Sequence, residues 1–253
     1  MPKLRITSAF ATSIACSLIL ATAALGANRS APRQKFNVPP SADLTYSIKA
    51  HQGGIAAQGQ AIVRWTASGD EFSVNTEARA MLVGKILETS SHGLIDQYGL
   101  APLSFTEKRF RKHPTTTSFD RTTKTISFTE SAQTYPIKGG EQDRSSVVWQ
   151  LVSIARAAPA RMKPNSEWKF FVAGRRDAEP WTFKVVNQEK IKTGVGTLDA
   201  VHILRAPPPD SQSQKLDIWL APSLDWYPVR LRFTDADDEF IEQTLENVNR
   251  KAS

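Results

Sequence analysis

Apolar side chains recur at every second residue along most of this chain, and that period restricts it to strands. Leu44, Tyr46 and Ile48 alternate with Asp43, Thr45, Ser47 and Lys49, the pattern of a strand with one buried face. Gly53-Gly54 predicts a turn, and residues 56–65 a second strand that pairs with the first as a hairpin. After a turn at Ser68-Gly69-Asp70, Phe72, Val74, Thr76 and Ala78 mark a third. Shorter candidates follow at 86–95, 103–111, 116–119, 125–128 and 133–137, separated by Gly, Pro, Asp or Asn. The rhythm resumes at 168–172, 181–186, 188–193, 198–205, 216–220, 229–233 and 240–248, with a polar, proline-rich loop at 205–215. The last segment also fits a helical period through Ile241, Leu245 and Val248; strand is the favoured assignment.

One stretch breaks the pattern. Residues 143–158 place Val148, Leu151, Val152 and Ala155 at helical spacing, with Asp143 or Ser145 to cap the start and Pro159 to mark the end. With no helices between the other strands, βαβ units are excluded. The expected architecture is mainly β: a curved antiparallel sheet or partly open β-barrel, with one amphipathic helix packed on its concave side to cover the apolar face.

The N-terminus speaks to compartment. Lys3 and Arg5 precede an uncharged apolar run over 6–25, then the small residues of Ala24-Leu25-Gly26-Ala27 and the polar Asn28-Arg29-Ser30. That order is the signature of a cleavable secretory signal peptide, taken as residues 1–27. A retained membrane anchor is the competing reading, disfavoured by the Ala, Ser and Thr content. Acylation at Cys16 lacks the leucine usual three positions earlier, so a lipoprotein is a weak reading. Residues 28–40 carry basic side chains and three prolines and read as a flexible linker; residues 41–250 then form a single β-rich domain. The only cysteine leaves with the leader, which removes disulfide and thiolate chemistry. The chain has 32 basic and 25 acidic residues; loss of Lys3 and Arg5 leaves a net charge of about +5. Export sets nucleic acid aside as a partner, anionic lipid being the more natural counterpart of a basic surface. The expected location is periplasmic, with no transmembrane segment after cleavage.

Motif searches for chemistry are empty. There is no G-x-S-x-G elbow, and Ser145 and Ser146 read as helix-start residues. His51, His92, His113 and His202 are scattered singly, without metal-ligand spacing, and Gly194-Val195-Gly196 reads as a turn and not a phosphate cradle. No metal or cofactor is expected. The densest charge run, Lys108-Arg109-Phe110-Arg111-Lys112-His113, reads as a solvated or edge-protecting strand, with contact to anionic lipid or polymer as the functional alternative. Arg230 is expected to form a structural bridge to Asp143 or another carboxylate, the alternative being an anionic ligand.

Gln142-Asp143-Arg144 before the helix, Trp219-Leu220-Ala221-Pro222 and Pro228-Val229-Arg230 are the motifs through which the chain resembles a family of exported bacterial proteins, domain of unknown function 3108 (DUF3108). Gly99-Leu100-Ala101-Pro102 followed by Phe105, and Phe119-Asp120 followed by Ile126 and Phe128, are similar to it too. The resemblance covers roughly residues 40–248 and implies export and a β-rich fold, with Gln142, Asp143, Arg144, Pro222 and Pro228 as structural motif residues; it implies no activity. By looser analogy the fold is similar to periplasmic lipoprotein carriers. Two roles stand. The favoured one is a non-enzymatic envelope protein for binding or assembly, holding a lipid-like or peptide ligand on a concave surface lined by Trp149, Phe170, Trp181 and Trp219, with Arg230 nearby. The alternative is a carboxylate-dependent hydrolase of envelope carbohydrate or ester bonds, using Asp143, Glu141 or Asp217.

Overall fold

The structure, a computed structural model, describes residues 33–208 and 213–251. The leader, residues 28–32 of the linker and residues 209–212 of the proline-rich loop lie outside the described residues. The first half of the chain is a meander: β1 (Ala42–Gln52), β2 (Ile55–Ser68), β3 (Glu71–Ala80), β4 (Gly84–Asp96), β5 (Gly99–Arg109), β6 (Thr115–Asp120), β7 (Thr125–Phe128) and β8 (Ser131–Pro136). The two-residue β9 (Gln142–Asp143) leads into the helix α1 (Ser146–Ala157). A second meander follows through β10 (Glu167–Ala173), β11 (Ala178–Thr193), β12 (Gly196–Arg205), β13 (Lys215–Leu220), β14 (Pro228–Thr234) and β15 (Phe240–Arg250).

All of these strands belong to one 15-stranded sheet, ordered β8-β7-β6-β5-β4-β3-β2-β1-β15-β14-β13-β12-β11-β10-β9. The meanders join where β1 pairs with β15, and every pairing is antiparallel except the short β9–β10 contact. Such a sheet has two ends, and its right-handed twist curls them toward one another. They meet side chain to side chain. Phe119, Ile126 and Phe128 of β6–β7 pack with Ala173 and Ala178 beside β10–β11, and Thr117 Oγ1 donates to the Gly174 carbonyl at 2.6 Å. The result is barrel-like, with a packed seam in place of a closing ladder.

The helix fills the space inside. Every residue from Ser146 to Ala155 is buried, so α1 is a plug wrapped on all sides and not a lid with one wet face. Its apolar side carries Trp149, which stacks on Trp65 with centroids 4.5 Å apart and meets the Tyr227 ring edge-on. The polar stripe Ser146, Gln150, Ser153 recurs at helical spacing, but its partners are protein groups. Gln150 Oε1 accepts from Leu100 N at 2.8 Å and its Nε2 donates to the Tyr98 carbonyl at 2.9 Å. The Ser153 carbonyl accepts from Asn37 N at 2.9 Å. Residues 37–40, read from sequence as part of a free linker, are therefore tied down: Trp65 Nε1 donates to the Pro39 carbonyl and Tyr227 Oη to that of Pro40. Burial of an indole and a helix stripe needs acceptors and donors, and this segment supplies them.

Two local expectations change and one open assignment is decided. The strand predicted to reach residue 111 ends at Arg109, because Lys112 N bonds back to the Arg109 carbonyl and Arg111 turns into the left-handed region at φ 55°. The basic run is thus a hairpin tip, not a strand whose faces alternate. The segments 181–186 and 188–193 are one strand, β11, with an irregularity between Val185 and Asn187. The segment 240–248 is a strand, as favoured.

Gly99 shows how tightly the plug fits. It has φ 104°, and a Cβ there would collide with the Gln150 amide. We expect Gly99→Ala to cost about 1–3 kcal/mol through strain and displacement of Gln150. Trp149→Ala should cost about 3–5 kcal/mol by emptying the stack on Trp65. Denaturant unfolding monitored by far-UV circular dichroism checks both.

Candidate functional site

The two motif clusters flagged in the sequence turn out to hold the two ends of α1. At its start, Asp143 Oδ1 accepts from Ser145 N at 2.7 Å and Ser146 N at 2.8 Å, while Ser91 Oγ of β4 donates to Oδ2 at 2.5 Å. Asp143, not the Ser145 side chain, is the cap. Gln142 Nε2 reaches the Leu100 carbonyl at 2.6 Å, and the Arg144 guanidinium lies against Gly174. At the far end, Pro222 opens a short 3-10 turn, after which Asp225 and Trp226 are both left-handed, at φ 49° and 61°. That turn aims the Asp225 carboxylate at Arg156 in the last turn of α1 and at Arg250 of β15, both at 2.7 Å. Arg156 there also sits favourably against the helix dipole. Pro228 starts β14 and its carbonyl accepts from Tyr46 Oη at 2.8 Å.

Burial pushes the Asp143 carboxyl above its ordinary value of 3.8, against the pull of its Ser91, Ser145 and Ser146 donors. A carboxyl raised in this way favours the folded state most below its ordinary value, and that contribution fades as pH rises through the raised one. We expect Asp143→Asn, which keeps an acceptor for the helix amides, to gain on the wild type in stability as pH rises from about 4 to neutrality. Asp143→Ala should cost about 2–4 kcal/mol near pH 4, since it strips the cap and orphans buried donors, and less as pH rises and the wild-type carboxyl loses its own contribution. Urea unfolding at a series of pH values reads both.

The four aromatic residues predicted to line one concave surface do not form an open lining, because α1 occupies that space; Phe170 and Trp181 are cross-strand neighbours that both pack on Phe183. Trp149 is in the core stack. Trp181 lies under the Arg205 guanidinium, 4.3 Å from its ring, and donates to Glu179. Trp219 shares a face with its cross-strand neighbours His202 and Arg230, opposite to the face carrying Ile203, Ile218 and Leu231. There it stacks on His202 at 4.5 Å and donates to Glu189 at 2.7 Å. Arg230 lies near Glu242, at 3.8 Å, and not Asp143; Asp143 has its bonds filled by the helix start. The candidate carboxylates are also separate. Asp143 is sealed at the cap, and Glu141 accepts from the amides of Lys138 and Gly139. Asp217, on the Trp219 face, is pushed up by burial yet held below its ordinary range by His202 at 2.7 Å and by Lys215.

Phe170 borders an opening that the other three do not line. A cleft of about 390 Å³ lies where the sheet ends approach one another. Phe170, Phe171, Tyr98 and Pro136 give it an apolar lining, and Lys138 and Lys169 bring charge to it. Gln34 and Gln150 contribute amides, and the buried Gln34 Oε1 has no hydrogen-bond partner among the described residues. Beside the cleft, β9 pairs with only Val172 and Ala173, leaving the outer edge of β10 from 167 to 171 without a ladder among the described residues. Sequence patterns missed this cleft because its residues come from five distant segments. The one available signal was proximity of Tyr98 to the Gly99 turn. Among the described residues no three His, Cys, Asp or Glu side chains converge as a metal site would require, and no helix is long and apolar enough to cross a membrane.

Comparison with known proteins follows the fold. A β-barrel-like protein of domain of unknown function DUF1849 from Brucella abortus superposes with a TM-score of 0.58 at 12% identity, covering 86% of this chain and 100% of that one. A domain from Vibrio parahaemolyticus assigned provisionally to outer membrane lipoprotein sorting gives a TM-score of 0.34 at 10% identity, covering 85% of this chain and 86% of its own. The first likeness establishes shared fold alone, and the second is too distant to carry argument. A search of curated protein sequences returns no significant match. The profile of DUF3108, a protein family of unknown function, matches residues 44–246, and the chain belongs to that family.

Proposed function

We propose that this chain is an exported, periplasmic protein of the cell envelope that acts by binding, not by catalysis, and takes an amphiphilic, lipid-like ligand at the seam cleft. The observation that carries the reading is the cleft's composition. Rings from Phe170, Phe171 and Tyr98 suit an apolar body, and Lys138 and Lys169 suit an anionic group at its end. At about 390 Å³ it has the volume of a small-molecule site. Glu141 borders it but is committed to the amides of its own turn, so it does not oppose an anion freely. The sealed or ion-paired state of Asp143 and Asp217 supports binding over acid–base chemistry. Export rests on the order of charge, apolar run and small residues in the first 27 positions.

The unpaired edge of β10 favours a second occupant, an extended peptide that would add as a strand there. Native mass spectrometry of the protein recovered from the envelope separates the two. A lipid-sized added mass supports the first reading, a peptide supports the second, and consistent absence of either contradicts both. The same spectrum should show a chain that begins near Asn28; a full-length chain in the cytosol would contradict export. In solution, the anionic aromatic dye anilinonaphthalene sulfonate serves as probe. Lys138→Glu with Lys169→Glu should weaken its binding about tenfold or more, on the order of 1 kcal/mol per charge contact, with the melting temperature unchanged.

A further inference from the structure

The exposed apolar residues are not scattered. Among the described residues eight large hydrophobic side chains are exposed, and five of them sit on three neighbouring turns. Met81, Leu82 and Val83, at 76%, 100% and 51% exposure, form the β3–β4 turn; Ile55 is at the β1–β2 turn and Phe110 at the β5–β6 turn. In an antiparallel meander, alternate turns fall at one end of the sheet. Backbone bonds confirm the adjacency: Met81 N donates to the Gln58 carbonyl and Phe110 N to that of Ile86. A fully exposed leucine between two other exposed apolar residues at a hairpin tip contributes nothing to the core, so folding does not account for it.

Cations surround these tips. Lys108, Arg111 and Lys112 are exposed and make no ion pair among the described residues. Arg111 lies over the Phe110 ring, 4.8 Å from its centroid, so the ring and the charge are presented together. Arg79 and Lys85 flank the Met81–Val83 turn, with their charge shared with Glu77 and Glu88. Another turn at this end, between β14 and β15, is acidic, with Asp235, Asp237, Asp238 and Glu239. Glu239 is engaged by the Gly53 amide. This end of the barrel therefore presents an apolar and basic patch over β3–β6 and, apart from it, an acidic turn at β14–β15.

We propose that the β3–β4 and β5–β6 turns form a docking surface for an anionic lipid bilayer. Leu82 and its neighbours enter the interfacial region, and Lys108, Arg111 and Lys112 meet the headgroups. The apolar side chains stand on separate hairpin tips, which fits a deformable surface better than a folded partner. Exposed cations on turns suit a layer of dispersed negative charge. The acidic turn fixes orientation by keeping its own side away from the membrane. Docking this way is independent of the seam cleft and stands or falls separately from it.

The test is co-sedimentation of the chain recovered from cells with vesicles of phosphatidylcholine plus phosphatidylglycerol, and with vesicles of phosphatidylcholine alone. Binding is expected for the anionic vesicles, weakening as salt rises. Leu82→Ser with Val83→Ser should reduce the partition coefficient about tenfold or more. Lys108→Gln with Lys112→Gln should reduce it about fivefold for each charge removed. Leu94→Ser, on an exposed apolar residue away from these turns, should leave it unchanged. All these sites are exposed, and a melting temperature checks that each variant folds. Equal binding to both vesicle types, no binding, or binding insensitive to the tip variants would overturn the proposal. The last outcome would also assign any membrane association to another part of the chain, since all variants share the same N-terminus.

Discussion

A helix buried on every side must find protein partners for both of its ends and for any polar stripe it carries, and the architecture of this molecule answers that requirement. Orphan amides and carbonyls at helix termini cost as much as other unsatisfied buried groups. Here Asp143 accepts from the first amides, and the Asp225 turn holds Arg156 at the last turn. In the polar stripe Gln150 bonds to β5 and Ser153 donates to the Trp149 carbonyl within the helix, while the incoming chain donates from Asn37 N to the Ser153 carbonyl. Each clamp also reaches the sheet: Ser91 belongs to β4, Leu100 to β5 and Arg250 to β15. The helix thereby fixes how far the sheet curls, because those strands are anchored to one rigid element.

Filling the interior this way determines where binding can occur. Among the described residues α1 occupies the interior of the barrel, which leaves the seam and the ends as its open places. The seam is where the ladder is interrupted and where backbone edges, aromatic rings and lysines coincide. The ends are where hairpin turns can carry side chains that no core needs. Both places are peripheral, and both are built from turns and edges that can change without disturbing the helix clamps.

Much of the fold was legible in the sequence because its physics is local. Period-two alternation marked most strands, and the switch to helical spacing marked α1 between Asp143 and Pro159. The helix was read as amphipathic, correctly for its side chains. What the sequence does not reveal is that the helix's polar side is covered by β5, through Gln150, and by the chain around Asn37 and not by water, since that depends on which distant segments arrive there. For the same reason the sequence points Arg230 at a carboxylate without saying which; cross-strand pairing places it beside Trp219 and Glu242. The basic run at 108–113 looked like a strand until the positive φ of Arg111 turned it into a tip. The Gln142-Asp143-Arg144 and Trp219–Arg230 motifs were visible as motifs, but their joint purpose, one helix held at two ends, is a three-dimensional fact.

Amide hydrogen exchange across α1 tests this account most directly. If the helix is the plug on which the sheet is wound, the amides of Val148 to Ile154 should exchange only through global unfolding, with the same free energy as those of Leu44, Tyr46 and Ile48 in β1. Helix amides that exchange orders of magnitude faster, while β1 stays protected, would show a lid that opens over a hollow sheet and would contradict it.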